Sequence, residues 1–305
     1  MSGDGFVVID KPGGMTSHDV VARIRRLART RRVGHAGTLD PMATGVLVIG
    51  VERATRLLPY AAGHDKAYRA TIRLGQTTVT DDAEGEVTGG APTGQLADGA
   101  VEAALAAFRG EIAQVPSAVS AIKVNGVRSY ARVRKGEEVA LAPRPVTIHR
   151  LDVLAVRPGT DVTDVDINVA CSPGTYVRAL ARDVGAALGV GGHLVALRRT
   201  AVGGFTLADA VPLDRLLEDG TPPEVVALPE VAGHLFARRD VDADAARVLS
   251  HGGPLPAIGL SGPYAVFGPD GRVLAVVAEV DGLARAQVVL APAGESAAIP
   301  NLEID

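Results

Sequence analysis

The chain is poor in the residues that mark several large classes of protein. Its 305 residues include one cysteine, Cys171, and no tryptophan. A lone thiol builds neither a disulfide framework nor a Cys-rich zinc site, so a reducing, cytoplasmic setting is expected. No run of about 18 apolar residues occurs; the greasiest stretches, such as Val46–Ile49, are strand-sized, which argues against a membrane-spanning helix. The N-terminus lacks the basic and apolar regions of a secretory signal. Familiar catalytic signatures are missing as well. No Gly is followed by Lys, no His by Glu, and neither Gly-x-Ser-x-Gly nor a dinucleotide-type Gly-x-Gly-x-x-Gly occurs. The seven histidines are scattered without ligand spacing, so no metal and no cofactor are expected. An enzyme working with its own side chains remains, or a protein that only binds.

What is present is a chain 47% apolar and 22% charged, long enough for roughly two domains. Its net charge of −4 is unevenly spread. Residues 1–200 hold 25 Lys and Arg against 20 Asp and Glu, whereas residues 201–305 hold 6 against 15. Arg23, Arg25, Arg26, Arg29, Arg31 and Arg32 fall within ten positions, and Arg128, Arg132, Arg134 and Lys135 form a second cluster. Local density of this kind is what phosphate contacts respond to, although a solvated helix face would look the same.

Phe6–Ile9 reads as a buried strand closed by the turn-forming Asp10-Lys-Pro-Gly-Gly14. Ser17 is a plausible N-cap for a helix whose apolar stripe is Val20, Val21, Ile24, Leu27 and Ala28, with the arginines off that stripe. Val46–Val51 is a second buried strand, and Tyr68, Ala70, Ile72 and Leu74 alternate with polar neighbours as a half-exposed one. Val101–Phe108 is helical in pattern. Residues 114–144 are basic and weakly periodic, as in an inserted lobe. Asp164–Ala170 is a strand, and a helix follows with the stripe Val177, Leu180, Val184 and Leu188. Asp219–Glu224 is the best linker. Beyond it, Ala243–Leu249 suggests a short helix, and Tyr264–Phe267 and Val273–Val277 flank a hairpin turn at Gly268–Gly271. The pattern predicts an α+β body with a small β-rich tail.

One loop, Gly34-His-Ala-Gly-Thr-Leu-Asp-Pro-Met-Ala-Thr-Gly45, carries a single carboxylate, Asp40, directly after the arginine helix. Pro41 biases Asp40 towards extended backbone, and the glycines allow tight shapes and close ligand approach. An isolated Asp-Pro is most simply a turn whose carboxylate bonds local amides. Yet an acid beside a polyanion-binding surface repels phosphate and calls for a purpose.

Residues 34–47 resemble the catalytic motif of tRNA pseudouridine-55 synthases, the TruB family. The likeness extends, in the family's order, to Asp10–Ser17, Asp65–Ala70, Leu74–Asp82, Pro116–Lys123, Cys171–Arg178 and His193–Arg199. It spans roughly residues 5–215. The resemblance implies a pseudouridine-synthase fold with a mixed, largely antiparallel sheet flanked by helices. Residues 1–225 would be the catalytic domain, 114–144 a thumb-like insertion, and 230–305 a small PUA-like domain. It further implies isomerisation of the T-loop uridine of tRNA to pseudouridine, without cofactor, by a cytoplasmic enzyme taken to be monomeric.

By motif match, Asp40 acts on the ribose C1′, Arg178 pairs with it, and Tyr68 packs on the target base and relays the C5 proton. Tyr176 and Leu197 line the nucleotide site, His35 fills space left by the extruded nucleotide, and Lys11 supports the site as a substrate-binding residue. Arg23, Arg26, Arg29, Arg31 and Arg32 are candidates for the RNA backbone. Without the resemblance, Tyr68 and Leu197 would be read as core, His35 as a loop residue bonding backbone, and Arg178 as an exposed helix arginine. Two other readings stay open: a tRNA-folding protein in which catalysis is secondary, and a guide-RNA-dependent enzyme of related fold.

Overall fold

The computed structural model describes residues 3–118, 123–124, 127–128 and 141–292. The expected thumb-like insertion therefore lies largely outside the described residues, save the paired strands Lys123–Val124 and Val127–Arg128.

Strand β1 (Gly5–Lys11) leads to helix α1 (Ser17–Ala28), then β2 (Val33–Ala36) and β3 (Thr44–Val51). After α2 (Leu58–Ala62) come β4 (Lys66–Leu74), α3 (Ala100–Ala106), β5 (Gly110–Gln114), β6 (Arg144–Pro158) and β7 (Thr163–Cys171). Helix α4 (Val177–Ala187), β8 (Gly192–Val202) and helix α5 (Leu213–Asp219) follow. The sheet runs β1-β3-β8-β4-β7-β6-β5, with Val211–Pro212 beyond β1. Its neighbours are antiparallel except at β3–β8 and at β1 with Val211–Pro212. This is the mixed, largely antiparallel sheet that the α+β reading expects.

Strands β1 and β3 are apolar on both faces because both faces are covered. Val7, Ile9, Leu47 and Ile49 join α1 and α4 in one core, with Val20, Ile24, Leu180 and Val184. Phe6, Val8, Val46 and Val48 point the other way. The starts of α1 and α3 agree with expectation to within a residue, whereas α4, expected to open at Pro173–Thr175, begins at Val177, and the cap of α1 differs. Thr16 is the N-cap, because Asp19 stands three residues on and completes a capping box. Ser17, expected there, is instead the first helical residue, and its buried hydroxyl is spent elsewhere.

The tail forms a second sheet. Helix α6 (Leu228–Leu235), β9 (Ala237–Asp240), α7 (Ala243–Ser250), β10 (Tyr264–Phe267), β11 (Val273–Val280) and β12 (Leu283–Val289) follow in order. The sheet order is β9-β10-β11-β12, closed by Leu255–Pro256, and β10–β11 is the expected hairpin. The linker at 219–224 does not detach this sheet. Val226–Ala227 returns to pair with Gly5–Phe6, and α6, Phe267 and Val276 bury the outward face of β1 and β3. Arg53 and Arg56 seal the seam by donating to the carbonyls of Leu290 (2.9 Å) and Val289 (2.6 Å).

Candidate active site

The loop between β2 and β3 is held from below by the first motif. The Ser17 hydroxyl accepts from the Leu39 N–H (2.9 Å) and donates to the Leu39 carbonyl (3.2 Å). Gly14 N–H donates to the Pro41 carbonyl at 2.8 Å. The Lys11 ammonium donates to the carbonyls of Pro12 (2.8 Å), Met15 (2.7 Å) and Pro41 (3.1 Å). Lys11 is wholly buried, and burial lowers its pKa to about 8. The sequence places Lys11 against substrate; the structure instead spends its protons on this backbone clamp and leaves it out of the cleft wall. Gly37 and Gly45 adopt positive φ (80° and 99°). A Cβ on Gly45 would stand 2.1 Å from the Arg199 carbonyl, so only glycine lets β3 pass β8 there.

Leu39 is anchored inward, and Asp40 next to it points out with its side chain one-third exposed. Arg178, second residue of α4, grips it with two bonds: Nε to Oδ2 at 2.9 Å and Nη2 to Oδ1 at 3.1 Å. Its Nη1 donates to the Thr80 carbonyl (2.8 Å), and Asp82 Oδ2 lies 3.5 Å from Nε. Asp82 is itself fixed by the Thr80 hydroxyl and the Glu84 N–H. The guanidinium is thus oriented by two carboxylates and a carbonyl, the geometry a planar fork favours.

Asp40, Tyr68, Tyr176, Arg178 and Leu197 line one cleft of about 270 Å³. Tyr68 and Leu197 come from the adjacent strands β4 and β8, and both are largely buried. Burial raises the Tyr68 pKa, against the pull of Arg199. Tyr176 precedes α4 and, among the described residues, its side chain does not cap the helix; its backbone is held by Gln114. That amide accepts from Tyr176 N–H (2.8 Å) and donates to the Tyr176 carbonyl (3.1 Å).

His35 stands on β2, beside the cleft and outside its wall. Its ring meets His18 edge-on with centroids 5.4 Å apart, and its buried Nδ1 has no hydrogen-bond partner among the described residues. Burial first, then His18 and Arg199, lower its pKa, so the ring is neutral near pH 7. Arg26, Arg29, Arg31 and Arg32 are exposed and Arg23 is half-buried, on or just beyond α1. Arg25 instead donates to the Val33 carbonyl at 2.9 Å.

Four residues at the site were not singled out from the sequence: Lys66, Asp82, Gln114 and Arg199. Lys66 and Arg199 line the cleft, and Asp82 and Gln114 orient residues that do. The family-like motifs contain three of them, but only strand pairing reveals what each faces.

Residues 25–177 match the family described as TruB family pseudouridylate synthase (N terminal domain). Residues 178–221 and 236–291 match two C-terminal families, tRNA pseudouridylate synthase B C-terminal domain and tRNA pseudouridine synthase II, C terminal. The chain belongs to the TruB family of pseudouridylate synthases. It is 56% identical over 302 residues to the tRNA pseudouridine synthase B of Arthrobacter sp. (strain FB24), covering 95% of this chain and 98% of that one. With the same-named protein of Mycobacterium tuberculosis (strain ATCC 25618 / H37Rv) the identity is 54%, over 96% of this chain and 97% of the other. Among solved structures, a crystal structure of a Cbf5-Nop10-Gar1 complex superposes with a TM-score of 0.72 at 24% identity, over 94% of this chain and 85% of that one. That likeness is one of fold. In this TruB-family enzyme the matched segments take in the Asp40 loop, Arg178 and the tail sheet.

Proposed function

We propose that this enzyme isomerises uridine to pseudouridine in the T-loop of tRNA, at position 55, with Asp40 acting on C1′ of a nucleotide turned out of the RNA stack. The observation that carries this reading is the two-point grip of Arg178 on Asp40 at the cleft wall. A carboxylate oxygen that accepts one hydrogen bond keeps a second lone pair, free to attack C1′ or take a nearby proton. Extruding the base costs a few kcal/mol, offset by contacts in the pocket. We assign Tyr68 to the face of the base and the C5 proton, and Leu197 and Tyr176 to the walls around it. His35 is assigned to the gap left in the loop, where a neutral flat ring suits stacking. The names of the relatives support tRNA as substrate.

The exposed arginines Arg26, Arg29, Arg31 and Arg32, with the half-buried Arg23, are assigned to tRNA phosphates. Residues 1–225 are taken as the catalytic domain, with the insertion at 114–144 engaging RNA, and residues 230–305 as the smaller PUA-like domain. No helix among the described residues is long and apolar enough to cross a membrane. We take the enzyme to work as a monomer in the cytoplasm. The test is tritium release from tRNA labelled at uridine C5, with wild type and Asp40→Asn compared. Wild-type release at one site of bare tRNA, lost in the variant, is expected. Binding without release in the wild type would favour the tRNA-folding reading, and a need for guide RNA would favour the third.

A further inference from the structure

Lys66 and Arg199 line the same cleft as Asp40, and both are buried, Arg199 to 1% and Lys66 to 9% exposure. Buried cations ordinarily carry a carboxylate partner. Among the described residues these two have no ion pair. Lys66 Nζ donates to the carbonyls of Ala62 (2.7 Å) and His64 (2.6 Å), and Arg199 donates to those of Val46 (2.7 Å) and Gly37 (3.1 Å). They flank one point, since a Cβ on Gly37 would lie 3.6 Å from both Arg199 Nη1 and Lys66 Cε, and burial first, then the Arg199 charge, lower the Lys66 pKa. Tyr68 is the register partner of Arg199 across the β4–β8 pair. Two like charges this close in a half-dry cleft are unfavourable until an anion enters.

The proposed reaction makes such an anion in the cleft. When the N1–C1′ bond breaks, its electron pair leaves with the base, and uracil departs as an anion with charge on N1, O2 and O4. C1′ takes its replacement electrons from the Asp40 carboxylate or from the C2′–H bond. C5 then bonds to C1′ as the Asp40 oxygen leaves it, or, on the second route, as C2′ regains its proton; the C5 proton leaves and N1 gains one, so the whole is an isomerisation. On either route the base is anionic between cleavage and re-bonding. We propose that Lys66 and Arg199 are the residues that stabilise the detached uracil anion. This rests on the pseudouridine synthase reading above. The rival occupant is a phosphate of the bound RNA, which is already charged before reaction.

The test uses the full-length enzyme and T-stem-loop RNA carrying uridine or 5-fluorouridine at the target. Loss of the starting nucleoside is followed in single turnover at saturating RNA, and RNA affinity is measured separately. Fluorine makes the base a better leaving anion. Lys66→Met and Arg199→Gln are expected to slow cleavage of uridine by about 10²–10³-fold. Affinity should be unchanged, and the defect markedly smaller on 5-fluorouridine. Lys66→Arg and Arg199→Lys, which keep the charge, should recover most of the rate. Thermal unfolding checks each variant; should Arg199→Gln fail to fold, Lys66→Met and its charge-retaining partner carry the test. Equal defects on both substrates would overturn the inference as structural damage. Lost affinity with a normal rate at saturation would overturn it in favour of a phosphate site. A wild type that leaves both nucleosides intact would instead remove the synthase reading, and this inference with it.

Discussion

The hydroxyl of Ser17 bonds both main-chain groups of Leu39, accepting at 2.9 Å and donating at 3.2 Å. Ser17 and Leu39 are both buried, so the first turn of α1 fixes the residue directly before Asp40. Ser17→Ala leaves the Leu39 N–H and carbonyl unpaired away from water, at a cost of about 1–3 kcal/mol. Chemical denaturation should show that loss. Turnover should fall with little change in KM, because the loop carries the carboxylate and not the arginines proposed to bind RNA. A KM defect alone would contradict this view of the loop.

Arg178 needs its full fork. It serves both oxygens of Asp40, the Thr80 carbonyl and, at 3.5 Å, Asp82. A lysine offers one point of charge and cannot span these partners. Asp82→Ala leaves the Asp40 pair intact but frees its other side, and also strips the Glu84 N–H of its acceptor. Misplacing a reacting group by about 1 Å costs on the order of 10² in rate, and a loss of that order is expected for both Arg178→Lys and Asp82→Ala. Filter binding of tRNA should stay within about threefold of wild type, since neither residue faces the arginine surface. Unchanged single-turnover rates would refute the orienting role.

Two lysines lend the enzyme an alkaline limit. Burial lowers the pKa of Lys66 and of Lys11 to about 8. The groups whose charges act on Lys66 are Arg199, Cys171 and Asp65, and Tyr68 shares its face of β4. Burial raises Cys171 to about 11 and also raises Tyr68, so neither loses its proton near pH 8. Because the native lysines release protons more readily than unfolded ones, stability from these groups rises between about pH 8 and 10.5. Rate should do the opposite, falling above pH 8 as the Lys66 charge is lost. Lys66→Arg should flatten that fall. A fall that survives in Lys66→Arg and vanishes in Lys11→Arg would trace it to the loop clamp.

The elements of the site were legible to different degrees. Local pattern shows the α1 stripe, the α4 stripe and the β10–β11 hairpin, because each is settled by neighbours a few residues apart. Asp40, Arg178 and Tyr68 were reached through ordered motifs, and the structure brings all three to one cleft. Lys66 and Arg199 were illegible as buried residues. Both are basic, and their burial depends on β4 lying between β7 and β8, a pairing of segments far apart in sequence. Ser17 misled in a subtler way. Thr16 and Ser17 are both fit to cap a helix, and the choice turns on Asp19 for the one and Leu39 for the other.

The arginine surface makes a quantitative prediction about salt. Arg26, Arg29 and Arg31 are exposed, whereas Arg25 is tied to the Val33 carbonyl. Replacing Arg26, Arg29 and Arg31 with Gln should weaken tRNA binding and reduce the slope of log affinity against log salt by about 2–3, or about 0.7–0.9 for each phosphate no longer neutralised. Arg25→Gln should leave that slope alone and lower thermal stability. Titrations across about 50–200 mM salt separate the two outcomes. Equal slopes in the triple variant and wild type would move the phosphate-binding surface elsewhere.

The tail sheet should prove inseparable from the body, despite the linker-like 219–224. Its helix α6 and strands β10 and β11 cover Phe6, Val8, Val46 and Val48, residues of the two strands that carry the first motif and enter from the Asp40 loop. Ending the chain at 225 would bare that apolar face and remove Val226–Ala227 from the edge of β1. Each large side chain so exposed forfeits about 1.5–3 kcal/mol, and four of them approach the whole stability of a typical domain. Residues 1–225 alone should therefore aggregate or unfold, as sedimentation and circular dichroism would report. Milder damage should come from Arg53→Ala and Arg56→Ala, which unpin the Leu290 and Val289 carbonyls without uncovering the face. A soluble, folded and active 1–225 fragment would show that the tail contributes little to the core it covers.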